Sequence, residues 1–150
     1  METIYDVLKE EHEQMSDLLR QALQDGSRVS FFKVKLKADP HMMGEEKIFY
    51  PVLEKVEELR ELMSQAHKEH DEAKTLIFEI EGMEERDEEW TPKLRELKQS
   101  VDHHIEEEES QVFEKARNIL SQKEAEDMAQ QYIEFKRSYM NRIETGGPIV

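Results

Sequence analysis

The chain is predicted to be all-α: an up-down-up-down antiparallel four-helix bundle with an additional C-terminal helix. Three observations carry this. Only five glycines and four prolines interrupt 150 residues, and Glu, Lys, Leu, Gln and Met, all good helix formers, dominate the rest. Apolar residues recur at three- and four-residue steps over long stretches, and nothing alternates as a strand would.

The first helix is expected over about residues 2–24, with Ile4, Leu8, His12, Met15, Leu19 and Ala22 on one face. Asp25-Gly26-Ser27 ends it and offers a cap for the next. The second runs from about Ser30 to Val56, with Val34, Ala38, His41, Glu45, Ile48 and Val52 in phase. Pro40 cannot donate its backbone hydrogen bond, so a kink or a lost bond is expected just before His41, and Pro51 should bend or end the helix. The third, about 58–82, aligns Leu59, Met63, Ala66, His70, Ala73, Ile77 and Ile80. After a polar loop from Glu84 to Trp90, the fourth begins near Thr91-Pro92, read as a cap followed by proline at the first helical position. Its face is Leu94, Leu97, Val101, His104, Glu108, Val112 and Ala116. A shorter fifth helix follows the capping box Ser121-x-x-Glu124 and carries Met128, Tyr132, Phe135 and Tyr139. Residues 1–144 are expected to form one domain and 145–150 a flexible tail.

Composition narrows the chemistry. The chain has no cysteine, which rules out disulfides, thiolate metal sites and thiol catalysis, so any metal is held by nitrogen and oxygen. A formal charge of -15 argues against nucleic acid and against anionic membrane surfaces, because both are bound by Lys and Arg. No apolar run approaches membrane-spanning length and the N-terminus lacks a signal-peptide pattern, so a cytoplasmic protein is expected.

The most informative feature is a pattern stated twice. Glu11-His12 is followed by His41-x-x-x-Glu45-Glu46, and Glu69-His70 by His104-x-x-x-Glu108-Glu109. Residues four apart share a helix face, so His41 with Glu45, and His104 with Glu108, each form a two-armed clamp, with His12 and His70 supplying further nitrogens. At 1.5 Å rise per residue all four histidines fall near mid-helix, at similar heights in the bundle. A lone inward histidine is usually a core residue with a satisfied hydrogen bond. Four at matched heights with two in-phase carboxylates read as a metal site, because a buried unpaired carboxylate costs several kcal/mol and a cation removes that penalty. Imidazole and carboxylate suit iron, manganese or zinc rather than copper(I) or calcium. Two bridging glutamates and four histidines leave an open coordination position for a small molecule such as dioxygen. His67, one turn before His70, is a possible additional ligand. His103 is expected to face solvent or to support a ligand from behind. Glu46, Glu106, Glu107 and Glu109 are read as a solvated acidic face from which one residue could orient a ligand histidine.

The sequence resembles the hemerythrin-like, or HHE cation-binding, family in Glu11-His12, in His41-Met42-Met43-Gly44-Glu45-Glu46-Lys47-Ile48-Phe49-Tyr50-Pro51, in Glu69-His70-Asp71-Glu72, and in His104-Ile105-Glu106-Glu107-Glu108 with Val112-Phe113. The resemblance covers residues 3–120. It implies a carboxylate-bridged non-haem centre of two iron ions that binds dioxygen or related small ligands; zinc or manganese stays open from the ligand types alone. It also implies His12, His41, Glu45, His70, His104 and Glu108 as ligands, with Glu45 and Glu108 bridging. The chain departs from oxygen-carrying members in two places: His67 and His70 are three rather than four apart, and the last carboxylate is Glu108, four rather than five residues after its histidine. The expected role is binding or sensing of dioxygen, nitric oxide or peroxide, ahead of two alternatives, a di-iron enzyme (peroxide or iron oxidation, iron donation for iron–sulfur repair) and a metal-responsive regulatory domain.

Overall fold

In the computed structural model, which describes residues 1–146, the described residues are helical with connecting turns and contain no strand. Helix α1 spans Ile4–Asp25 and α2 spans Arg28–Gly44. A π-helical turn, Glu45–Phe49, joins α2 to α3, Tyr50–Glu54. After a short 3-10 turn at Glu57–Leu59 come α4, Arg60–Glu81, and α5, Trp90–Glu107. A second π turn, Glu108–Val112, leads into α6, Phe113–Arg117, and α7 spans Gln122–Thr145. Helices α1 and α2 pack together, α4 packs on α5, and α5 closes the bundle on α1, while α7 lies against α1, α2 and the first π turn. No helix among the described residues is long and apolar enough to cross a membrane.

Local chemistry sets the boundaries. Thr3 and Asp6 form a reciprocal capping box at the start of α1, and Gly26 at φ 64 closes its end with a hydrogen bond to the Ala22 carbonyl. Ser27 caps α2, which therefore starts two residues before the expected Ser30. Ser121 and Glu124 form the expected box at α7. Three expectations change. Trp90 is the first residue of α5 rather than part of the loop, and Thr91 is not its cap; the indole is buried against Phe31, and this packing places the helix start. Helix α7, at 24 residues, is not shorter but the longest helix described, since Gly146 rather than an earlier residue terminates it. Of the segment 145–150, Thr145 ends α7 and Gly146 caps it, and residues 147–150 lie outside the described residues. Pro40 sits inside α2 without ending it.

The π turns widen the apolar face. After Glu45 the first half buries Phe49, Tyr50 and Leu53, at the fourth, fifth and eighth positions, rather than the expected Ile48 and Val52 at the third and seventh; the wider π turn is what brings the fifth position inward beside the fourth. The second half buries Val112, Phe113 and Ala116 at the same offsets from Glu108. The core is consequently split by a polar layer. On one side lie Ile4, Leu8, Phe49, Leu53 and Phe113, and on the other Leu19, Phe31, Trp90, Leu94 and Ile80.

Helix α7 approaches α2 closely at one point. A Cβ on Gly44 would lie 2.5 Å from Tyr132 Cε2 and 2.9 Å from Cδ2, and that ring is fully buried and fixed by a 2.5 Å hydrogen bond from its hydroxyl to Glu11 Oε1. Gly44→Ala should therefore destabilise the protein by about 1–3 kcal/mol through overpacking, read as a lower denaturant midpoint. Gly82→Ala, whose Cβ would meet nothing closer than 3.7 Å, should change it far less.

Candidate metal centre

The polar layer is built by four helices and two π turns that deliver their side chains to one point. α1 supplies His12, α2 His41, α4 His70 and α5 His104, and the two π turns begin at Glu45 and Glu108. All six residues are buried, and both glutamates are 0% exposed. Their inward atoms fall into two overlapping groups, His12, His41, Glu45 and Glu108, and Glu45, His70, His104 and Glu108, each with ligand atoms within 4.8 Å of one another. Two pairs of imidazoles thus share two carboxylates.

The contacts are those of donors able to share a cation. His12 Nε2 lies 3.3 Å from Glu108 Oε1, His41 Nε2 and His70 Nε2 each 3.1 Å from Glu45 Oε1, and His104 Nε2 3.2 Å from Glu108 Oε2. Donors held at ~2.0–2.2 Å by one cation stand about 3 Å from their neighbours. His12 Nε2, His41 Nε2, Glu45 Oε2 and Glu108 Oε1 are buried with no hydrogen-bond partner, a cost that a cation between them would relieve. The cluster can therefore hold metal.

Each histidine is aimed from behind by a carboxylate. The Nδ1–H of His41 donates to Glu11 at 2.8 Å, that of His70 to Glu46 at 2.6 Å, that of His104 to Glu69 at 2.7 Å and that of His12 to Glu109 at 2.7 Å. These bonds form a closed ring of helix-to-helix links, and by occupying Nδ1–H they leave the Nε2 lone pairs facing inward. The sequence reading reserved this role for one residue of the acidic face. The structure gives it to Glu46 and Glu109, and to Glu11 and Glu69, each beside a ligand candidate in the repeated motif, which was the available signal.

Tyr50 was missed because its inward turn depends on the π turn. It lies five residues after Glu45, as Phe113 lies five after Glu108. Its hydroxyl donates to Glu108 Oε2 at 2.5 Å and stands 3.2 Å from both His70 Nε2 and His104 Nε2. Its ring stacks on His70, as that of Phe113 stacks on His12. One half of the cluster thus has a phenol oxygen where the other has a benzene face. His67 is not part of the cluster: it is half-buried, pairs with Glu54, and its ring stands nearly perpendicular to that of Tyr50. His103 faces solvent.

The model of the hemerythrin HHE cation-binding domain matches residues 3–116. The chain belongs to the hemerythrin HHE family. An uncharacterized hemerythrin-like protein of Schizosaccharomyces pombe is 31% identical over 99 residues, 65% of this chain and 49% of that protein, so the chain spans about half the length of that relative. The crystal structure of a hemerythrin HHE cation binding domain-containing protein from Mycobacterium kansasii superposes with a TM-score of 0.80 at 22% identity, covering 99% of this chain and 96% of that one. This likeness establishes the HHE fold.

In the metal-free HHE bundle, protons take the cations' place. Burial opposes charge on His41, but Glu45 and Glu11 outweigh it and raise its pKa to about 9. Burial likewise opposes charge on His104, and Glu108 and Glu69 hold its pKa well above the ordinary value. Burial would raise the pKa of Glu11, but the hydrogen bond from His41 and the Lys136 ammonium bring it to about 2. Raised histidines stabilise the fold fully below their ordinary 6.5 and lose that contribution as pH rises through about 9. Lowered carboxylates stabilise it above 4.5 and lose that contribution as pH falls toward about 2. Thermal melts in chelator should thus peak between those ordinary values and fall by on the order of 5 °C from pH 6 to pH 9. With metal bound to deprotonated imidazoles, the stabilisation gained from the metal should instead grow over that range.

Proposed function

We propose that the protein is a non-haem di-iron protein that binds or senses dioxygen or a related small ligand, nitric oxide or peroxide, at a carboxylate-bridged dinuclear centre. In this reading His12 and His41 hold one ion, His70 and His104 the other, and Glu45 and Glu108 bridge them. The carrying observation is the convergence of buried imidazole nitrogens and carboxylate oxygens on two overlapping positions, with His12 Nε2, His41 Nε2, Glu45 Oε2 and Glu108 Oε1 unpartnered. When bound, the iron pair would supply an open coordination position and reversible electron transfer to the ligand.

The chain's own residues define what reaches that position. Beside the four imidazoles lies a cavity of about 30 Å³, lined by Met15, Val34, Ala38, Ala73, Ile77 and Leu97 among others. It is far smaller than the ~300–1,000 Å³ pockets that hold organic ligands, so it suits a molecule of a few atoms. Its apolar walls favour an uncharged ligand. Tyr50, whose pKa burial and the carboxylates of Glu108 and Glu45 push well above the ordinary value, stays protonated and orients Glu108 by its hydrogen bond.

Anaerobic loading with iron(II) should place two ions per chain, and exposure to oxygen should then produce a visible charge-transfer band that reverses on deoxygenation. No iron uptake and no band would contradict the reading. The double substitution Glu45→Ala with Glu108→Ala should abolish pairwise loading, measured as bound iron per chain.

A further inference from the structure

The two half-chains correspond residue by residue: Glu11 to Glu69, His41 to His104, Glu45 to Glu108. The same correspondence matches Pro40 to His103 and Gly44 to Glu107. In the first half the outward face at these positions is covered by α7. The Tyr132 ring lies on Gly44, its hydroxyl bonds Glu11, the Lys136 ammonium pairs with Glu11, and Lys37 Nζ lies 3.7 Å from the same carboxylate. Helix and ammonium groups together close that side.

The second half has neither. Among the described residues, Glu69 pairs with no lysine or arginine; its ion-pair neighbours are His104 and His103. Glu69 itself is 4% exposed, yet its Oε2 points outward, accepting from Gln65 Nε2 at 3.2 Å and lying 3.4 Å from His103 Nε2. His103 Nε2 is also 3.4 Å from Glu107 Oε2. The three residues present ligand atoms within 4.8 Å of one another, and His103, 67% exposed at its side chain, opens the group to solvent. Two carboxylates therefore face each other with an imidazole between them, at the place where the other half carries ammonium groups. His103-x-x-x-Glu107 also repeats the clamp His104-x-x-x-Glu108 one residue earlier, turned about a quarter of a turn outward on the helix.

We propose that Glu69 Oε2, His103 Nε2 and Glu107 Oε2 form a third, solvent-facing site for a divalent transition-metal cation. Spacings of 3.4 Å are those of donors sharing one ion at ~2.0–2.2 Å, and a nitrogen with two oxygens selects iron(II), manganese or zinc over calcium or magnesium. Three protein ligands leave the remaining positions to water. Glu69 uses Oε1 to aim His104 and Oε2 for the outer ion, so the third ion sits one carboxylate away from the inner cluster and can be loaded from solvent.

Equilibrium dialysis against buffered zinc, with bound zinc per chain as the readout, tests this. The wild-type chain should take up three ions, the last most weakly. His103→Ala and Glu107→Gln should each take up two, and His67→Ala, which removes the other half-exposed histidine–glutamate pair, should still take up three. His103 is exposed, so its loss leaves folding intact, and unchanged melting of that variant in chelator verifies it. Equal uptake by the wild type and by both the His103 and Glu107 variants overturns the third site, as does a loss confined to His67→Ala. The inner centre is judged separately: uptake of two by all of these chains rejects the third site and retains the pair, while a single ion that His103→Ala removes rejects the pair and retains the third site.

Discussion

Two glutamates with no solvent exposure, Glu45 and Glu108, sit at the centre of a polar layer that divides an otherwise apolar core. A carboxylate in that position is stable only if its charge is answered nearby, because desolvation costs several kcal/mol for each ion. The rest of the architecture follows from this constraint. Four imidazoles surround the pair, four further carboxylates fix those imidazoles, and the apolar core is divided into two clusters on either side of the polar layer. Lys136 and Lys37 beside Glu11, and Lys74 beside Glu46, answer part of the outer charge. The inner excess of negative charge is what two cations would neutralise.

The π turns are the means by which the backbone accommodates this layer. Each starts at a central glutamate, and each rotates the following residues so that both the fourth and the fifth positions onward point inward. The fourth position packs as core, Phe49 and Val112. The fifth flanks a histidine, as Tyr50 on His70 and Phe113 on His12. An α-helical turn would bring only one of the two fully inside. The same insertion explains the asymmetry of the cluster, because the tyrosine hydroxyl reaches one pair of histidines only.

Most of the bundle was legible because helical periodicity, glycine stops and the Ser121 capping box are local signals. The six clustered residues were legible for a different reason: charged groups on an apolar stripe conflict with burial, and their repetition in two half-chains made chance an unsatisfactory explanation. The phase after Glu45 was ambiguous because Ile48 and Val52 are as apolar as Phe49 and Leu53, and the inward turn of Tyr50 was not legible because a π insertion leaves no compositional mark. Trp90 and the length of α7 depend on tertiary packing against Phe31 and against α1 and α2. The roles of Glu11 and Glu69 were signalled only by their place beside His12 and His70, and which histidine each aims, about 30 residues away in the chain, depends on how neighbouring helices pack.

The central claim is that two cations occupy the space between Glu45 and Glu108. Anomalous diffraction from crystals of the metal-loaded protein tests it most directly. The account predicts two peaks ~3.5–4 Å apart, one against His12 and His41 and the other against His70 and His104, with both carboxylates between them. A single peak there, or density that leaves the two glutamates without any metal, would contradict it.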